Sequence, residues 1–198
     1  MTTPFPTNPN LPQKPAQAGP PPPNLAPSPD APYGYTVYVD GNVDGPNTNL
    51  YTDHAAVVIV GTVRQVLPTR WDTPDGRRPA NPHDKANPYT IYTPVLVDVE
   101  QYLKGQQPQS QLLLYAFGGQ VGQDVAQRKP DSLYTFHDGE RVVLFLSERS
   151  HEPRSLNGNP FWDVLEHYTI TQDGAATNYY RRVPLAQLRA EIADVQKP

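Results

Sequence analysis

A mostly β fold is predicted: a small barrel of five to six strands, an amphipathic helix at its C-terminal end and an extended proline-rich tail before it. Three observations predict it. Twelve of the first 33 residues are proline, among them Pro20, Pro21, Pro22 and Pro23. Beyond them, apolar segments rich in β-branched residues are separated by Asp-Gly and Gly-Gly pairs, the punctuation of strands and turns. After Pro184, the apolar residues Leu185, Leu188, Ile192 and Val195 fall at helical spacing.

Taken in order, residues 1–33 form the tail. Proline fixes φ and removes the backbone donor, so neither a helix nor a central strand runs through them, and an extended polyproline II segment is expected. Residues 34–198 read as one β domain. Tyr33 to Val39 alternates and stops at Asp40-Gly41, as a short edge strand does. Ala55 to Val66 (AAVVIVGTVRQV) is the most apolar segment and reads as a central strand, with Gly61 marking a bulge or bend. Leu67 to Pro88 is a polar loop carrying five prolines. Tyr89 to Leu103 places Ile91, Val95, Val97 and Val99 on one parity and Tyr92, Leu96, Asp98 and Glu100 on the other, a strand with one buried face.

Gln111 to Phe117 is the next strand, stopped by Gly118-Gly119. Arg141 to Ser147 follows the Asp138-Gly139 turn, and Trp162 to Thr171 ends at Asp173-Gly174. Thr177 to Arg182 is expected to pair back as a short sixth strand, and the helix to cover residues 184–196. A closed or partly closed barrel accommodates these elements, with an immunoglobulin-like sandwich as the competing architecture.

Composition narrows the chemistry. About 165 residues outside the tail suffice for a core without disulfides or a structural metal. The chain has no cysteine, which removes thiolate zinc sites, thiol nucleophiles and disulfide frameworks. Its net charge of −4 offers no global positive field for nucleic acid or an anionic membrane surface. Arg70-Trp71, Arg77-Arg78 and a set of strand aromatics (Tyr89, Tyr92, Tyr102, Tyr115 and Phe117) would suit a stacking surface, but that charge balance argues against nucleic acid. No apolar run is long enough to span a bilayer. No charged start followed by an apolar stretch opens the chain, so the expectation is either a cytosolic protein or one whose Met1 marks a mature start.

The run Val57-Val58-Ile59-Val60-Gly61-Thr62-Val63, then Tyr92-Thr93-Pro94-Val95 leading to Tyr102-Leu103-Lys104-Gly105, then Gly118-Gly119, then Gly139 to Leu146, resembles a pattern of bacterial secreted or lipoprotein-type domains. They are similar to the OB-fold barrels of the tissue-inhibitor and netrin-module group. The resemblance covers Ala55 to Leu146 and implies an OB-like barrel outside the cytoplasm, extracellular or in the cell envelope. Without cysteine, the chain lacks the inhibitory N-terminal cysteine of the metalloprotease inhibitors, so it does not imply protease inhibition by that route.

Candidate sites are few. Asp40-Gly41-Asn42-Val43-Asp44-Gly45 matches the first half of a calcium loop, with Asp40, Asn42 and Asp44 as oxygen ligands. Position twelve is Tyr51 instead of an acid, and two Asp/Asn/Gly turns explain the same residues. No other cofactor is expected. The five histidines show no metal-binding spacing, and there is no nucleophile elbow. Gly118-Gly119-Gln120-Val121-Gly122 lacks the lysine and helix of a phosphate loop and reads as a turn. An enzyme would need His137, Glu140, His151, Glu166 and His167 to converge.

The expectation is therefore a non-enzymatic structural or interaction protein. Its tail, with Pro20 to Pro23 at the centre, docks on a partner protein or a neighbouring copy, a contact able to propagate into a filament. The alternative is a module binding peptide or carbohydrate through the 67–88 loop, in a pocket lined by Trp71 and the strand tyrosines Tyr89, Tyr92 and Tyr102.

Overall fold

Five strands close on themselves. In the computed structural model, which describes residues 36–40, 48–83, 89–129 and 135–197, they are β2 (Val57–Val66), β4 (Ile91–Lys104), β5 (Gln111–Phe117), β8 (Arg141–Glu148) and β10 (Asn159–Ile170). Their spatial order is β2–β4–β5–β10–β8, with β8 returning to β2. Within the ring β5 and β10 run parallel and the other neighbours antiparallel. The result is a closed five-stranded barrel compatible with an OB-like fold, not a sandwich.

The apolar runs of β2 and β8 are continuous because both faces are buried. Val57, Ile59 and Val63 meet Val142, Leu144 and Leu146 inside the barrel. Val58 and Val60, with Val143 and Phe145, face outward into a second core beneath two helices, α1 (Thr48–His54) and α2 (Leu185–Val195). Leu188 and Ile192 of α2 are fully covered there, as their spacing predicts. Gly61 lies at a register shift between β2 and β4, where an added Cβ would sit 2.7 Å from the Asp98 carbonyl oxygen.

Arg181 ties this second layer together. Its guanidinium donates to the Tyr168 hydroxyl of β10 (3.2 Å), to the Thr48 hydroxyl of α1 and to Glu191 of α2 (2.7 Å). The guanidinium in turn holds the Glu191 carboxyl below the usual carboxylate range.

Several elements depart from expectation. Helix α1 occupies a stretch too short to show a helical period. The edge strand is β1 (Thr36–Asp40), and it joins no barrel strand: it pairs in parallel with β7 (Asp124–Lys129), which forms a hairpin with β6 (Gly119–Val121). The glycines expected to form only a turn thus open a strand. The sixth strand at Thr177–Arg182 is corrected. Residues 178–181 form a turn in which Asn178 Oδ1 accepts the Tyr180 and Arg181 N–H groups, and it links β11 (Ala175–Thr177) to β12 (Arg182–Pro184). Pro184 ends β12 with extended backbone (φ −55°, ψ 136°) and caps the helix, whose first residue is Leu185. The proline-rich tail and the calcium-loop residues Asn42 and Asp44 lie outside the described residues. Asp40 ends β1, and Tyr51, at the twelfth loop position, is half-buried in α1.

Candidate functional site

Three places concentrate chemistry, and each is set by which strands the ring brings together. The first is the outer face of β4, β5 and β10, flanked by the 67–83 segment and by the β8–β10 connection. Tyr92 of β4 and Tyr115 of β5 stack at 4.4 Å between centroids, and Phe161 of β10 meets both rings edge-on. Arg149 lies over the other face of Tyr115, its guanidinium carbon 3.4 Å from the centroid. That guanidinium also donates to Asp163 Oδ1 (2.6 Å) and to the carbonyls of Pro153 (2.9 Å) and Glu152 (3.1 Å). The stacking platform is thus filled by the protein's own cation. Burial pushes the Tyr115 and Tyr92 hydroxyls above the ordinary tyrosine range, so both stay protonated at neutral pH.

The loop expected to frame a pocket is fastened down. Its Arg70 and Trp71 form β3 (Arg70–Trp71), pairing with Tyr92 and Ile91 of β4. Trp71 is fully buried against Ile91 and Ala126, with Tyr89 half-buried alongside. Asp75 accepts the Arg77 N–H (3.0 Å) and the Thr73 hydroxyl (3.0 Å), which hold its carboxyl below the usual range. Arg78 Nε donates to the buried Asp124 of β7 (2.8 Å). Trp71 and Tyr92 are thus both buried, Trp71 beside its β3 pairing with Ile91 and Tyr92 against Tyr115 and Phe161. Half-buried Tyr102 sits apart at the β4–β5 turn, its hydroxyl donating to the Gln109 carbonyl (3.0 Å) beside a shallow polar hollow of about 410 Å³.

The second place is one mouth of the barrel, a hollow of about 340 Å³ that sequence reasoning missed. Val95, Ala116 and Phe136 form its apolar floor. Thr69 and Thr93 pair their hydroxyls at 2.9 Å, Thr93 donating to the Gly118 carbonyl (2.9 Å), and Gln127 of β7 lies at the wall. Gly118 and Gly119 have φ values of 100° and 129°, and a Cβ at Gly119 would lie 2.6 Å from Thr69 Cγ2. Glycine keeps this wall thin where no other residue fits. The two adjacent glycines after a strand were the available signal.

The third place holds the titratable residues: His137 Nδ1 and Glu140 Oε2 lie 3.7 Å apart, while Glu166 and His167 face opposite sides of β10. Glu140 accepts the His137 N–H (3.1 Å) and the Thr169 hydroxyl, pinning β8 to β10; His137 itself is exposed. His151 is exposed in the β8–β10 connection. His167 lies opposite Leu144 on the barrel side, against Phe136, while Glu166 lies opposite Phe145 on the helical side. The five groups do not converge. Among the described residues no three His, Asp or Glu side chains are grouped to hold a metal.

Buried Glu166 has a measurable consequence. Desolvation raises its pKa above 4.5, against the opposing pull of the His167 N–H (2.8 Å), Asn178 and Arg181. A carboxyl raised in the folded state stabilises the fold below pH 4.5, and that contribution is lost as pH rises through the folded value. Glu166→Gln is expected to raise Tm at pH 7 by roughly 2–4 °C, the size of about 1 kcal/mol in a domain this large. The gain should shrink as the pH approaches 4.5. Calorimetry of both proteins across this range checks it, and a gain independent of pH would refute the assignment.

No helix among the described residues is long and apolar enough to cross a membrane. Compared with known proteins, the chain matches no family model and no curated protein is significantly similar to it.

Proposed function

We propose that the protein is a non-enzymatic interaction module that works outside the cytoplasm. The barrel is its rigid body, and the proline-rich N-terminal segment is the part that engages another protein, in the simplest case a neighbouring copy. Kinship with the OB-fold barrels of the tissue-inhibitor and netrin-module group belongs to the same proposal and rests on the five-strand ring.

One observation carries the reading. The residues that directly follow the proline-rich segment, Thr36–Asp40, are attached by strand addition, in unbroken parallel register with Val125 to Lys129. An extended segment adding to a strand edge is a recurring mode of peptide capture: backbone pairing supplies affinity without a preformed pocket. Thr36–Asp40 are thereby held in one register on the β6–β7 hairpin. The burial of Trp71 and Tyr92, and the cover that Arg149 gives Tyr115, favour this reading over a ligand site in the 67–88 loop.

Light scattering on the full chain, from micromolar to millimolar concentration, tests it. The mass is expected to rise with concentration. In a full-length variant with Pro20, Pro21, Pro22 and Pro23 all replaced by serine it should stay that of one chain. If the two proteins behave alike, the proline-rich segment is not the engaging element.

A further inference from the structure

We infer that the hollow at the barrel mouth is the resting seat of the chain's own Pro20–Pro23 run. The inference rests on the reading of the N-terminal segment as the engaging element and adds where that element sits when no partner is bound. Three observations lead there.

The first is position. Ala126 and Gln127 line the hollow and are also the residues that pair with Val37 and Tyr38 of β1. The proline-rich segment therefore joins the described fold at the rim of this hollow. Twelve residues separate Pro23 from Thr36, enough to span up to about 40 Å when extended. The run can turn back onto the mouth of the same barrel without strain. A tether that short holds its end at an effective concentration on the order of millimolar, which favours the chain's own seat over a distant one.

The second is charge. No charged side chain lines the hollow among the described residues. From Pro15 to Pro29 the tail is likewise uncharged, with Lys14 and Asp30 just outside that stretch. Burying this part of the tail leaves no ion unpaired; its flanks would carry a charge into a low-dielectric site.

The third is hydrogen-bond chemistry. A polyproline II segment has no internal hydrogen bonds, so its carbonyls need external donors, and its rings need an apolar wall. Phe117, Phe136, Val66 and Val95 supply the wall. The Gln127 carboxamide, which makes no hydrogen bond within the described fold, supplies a donor. Glycine at positions 118 and 119 lets a backbone approach closely on that side.

The consequence is a competition. The same prolines that engage a partner hold a seat in their own barrel, so a partner must offer more than that seat, and a second copy gains access as concentration rises.

The absence of cysteine makes the test direct. In the full chain, Pro22→Cys is combined with Gln127→Cys, and in a control with Gln106→Cys, an exposed position at the β4–β5 turn, the opposite end of β5 from the hollow. In a glutathione redox buffer the 22–127 disulfide is expected to form within one chain at least about tenfold faster than the 22–106 disulfide, as proximity raises effective concentration. Equal rates overturn the seat. Disulfide-linked pairs of chains from the 22–127 variant also overturn it, because the hollow then receives a neighbour's prolines; that outcome leaves the interaction reading standing. The interaction reading fails separately, on the light-scattering measurement.

Discussion

Arg149→Met is expected to lower the unfolding free energy by about 2–4 kcal/mol, more than any other single change in a surface connection. The side chain is only 10% exposed and is bound on every side: Tyr115 beneath it, Asp163 at one end, and the Pro153 and Glu152 carbonyls at the other. Its removal strands Asp163 and two carbonyls that the side chain had satisfied. Because Asp163 is 30% exposed, water recovers part of that loss, which keeps the estimate below that for a fully buried pair. Methionine keeps most of the contact with Tyr115, so the effect isolates the polar part. Asp163→Asn removes the ion pair but leaves both carbonyl contacts, and should cost about 1 kcal/mol. A local readout accompanies the global one. Arg154 is exposed in the same connection, and trypsin should cut after it faster once the clamp is gone. Guanidinium melts and a proteolysis time course measure both effects; an unchanged midpoint would mean that Arg149 only decorates the surface.

Trp71→Ala should cost about 3–5 kcal/mol, the usual range for an aromatic side chain deleted from a core. Trp71 is fully buried and is the largest side chain in the cluster that joins β3, β4 and the β6–β7 hairpin. Its loss opens a void under the 67–83 segment, which the β3–β4 pairing, the Thr69–Thr93 pair and the Arg78–Asp124 pair still hold. Trp71→Phe should recover about half the stability, since the ring stays and the backbone pairing with Ile91 is untouched. Chemical denaturation followed by circular dichroism distinguishes this from a binding role, in which Trp71→Ala would leave the midpoint where it was.

The strands that could be read directly were those whose neighbours lie on both sides. In β5 and β8 the apolar run, the flanking glycines and the buried residues coincide almost to the residue. Where one face is covered by something distant, sequence reasoning stopped short. The alternation puts Tyr92 on the exposed parity of its strand, yet Arg149, 57 positions further on, closes that face through Tyr115. Trp71 looked like a loop aromatic because nothing near it in sequence reveals a two-residue strand pairing with Ile91. The β6–β7 hairpin was hidden by its own opening, since Gly118 and Gly119 look like a stop signal whether the chain leaves the sheet or re-enters it with positive φ. Asn157-Gly158 is a hairpin signal in the sequence: both residues take positive φ in the tight turn between β9 (Ser155–Leu156) and β10. Beyond its two glycines the barrel mouth has no sequence signature, because its lining comes from β2 and the segment after it, β4, β5, β6, β7 and the residues before β8.

The ring order sets the schedule of biosynthesis. Strands β2, β4 and β5 associate as neighbours in sequence, and β8 then adds beside β2. Until residues 159–170 leave the ribosome, β5 and β8 each present a free edge, and the slot between them can be filled by any extended chain that reaches it first. Strand β10 fills that slot with a parallel pairing on one side and an antiparallel one on the other. A nascent chain stalled before Asn159 therefore leaves two sticky borders in the ring, and its last strand closes both.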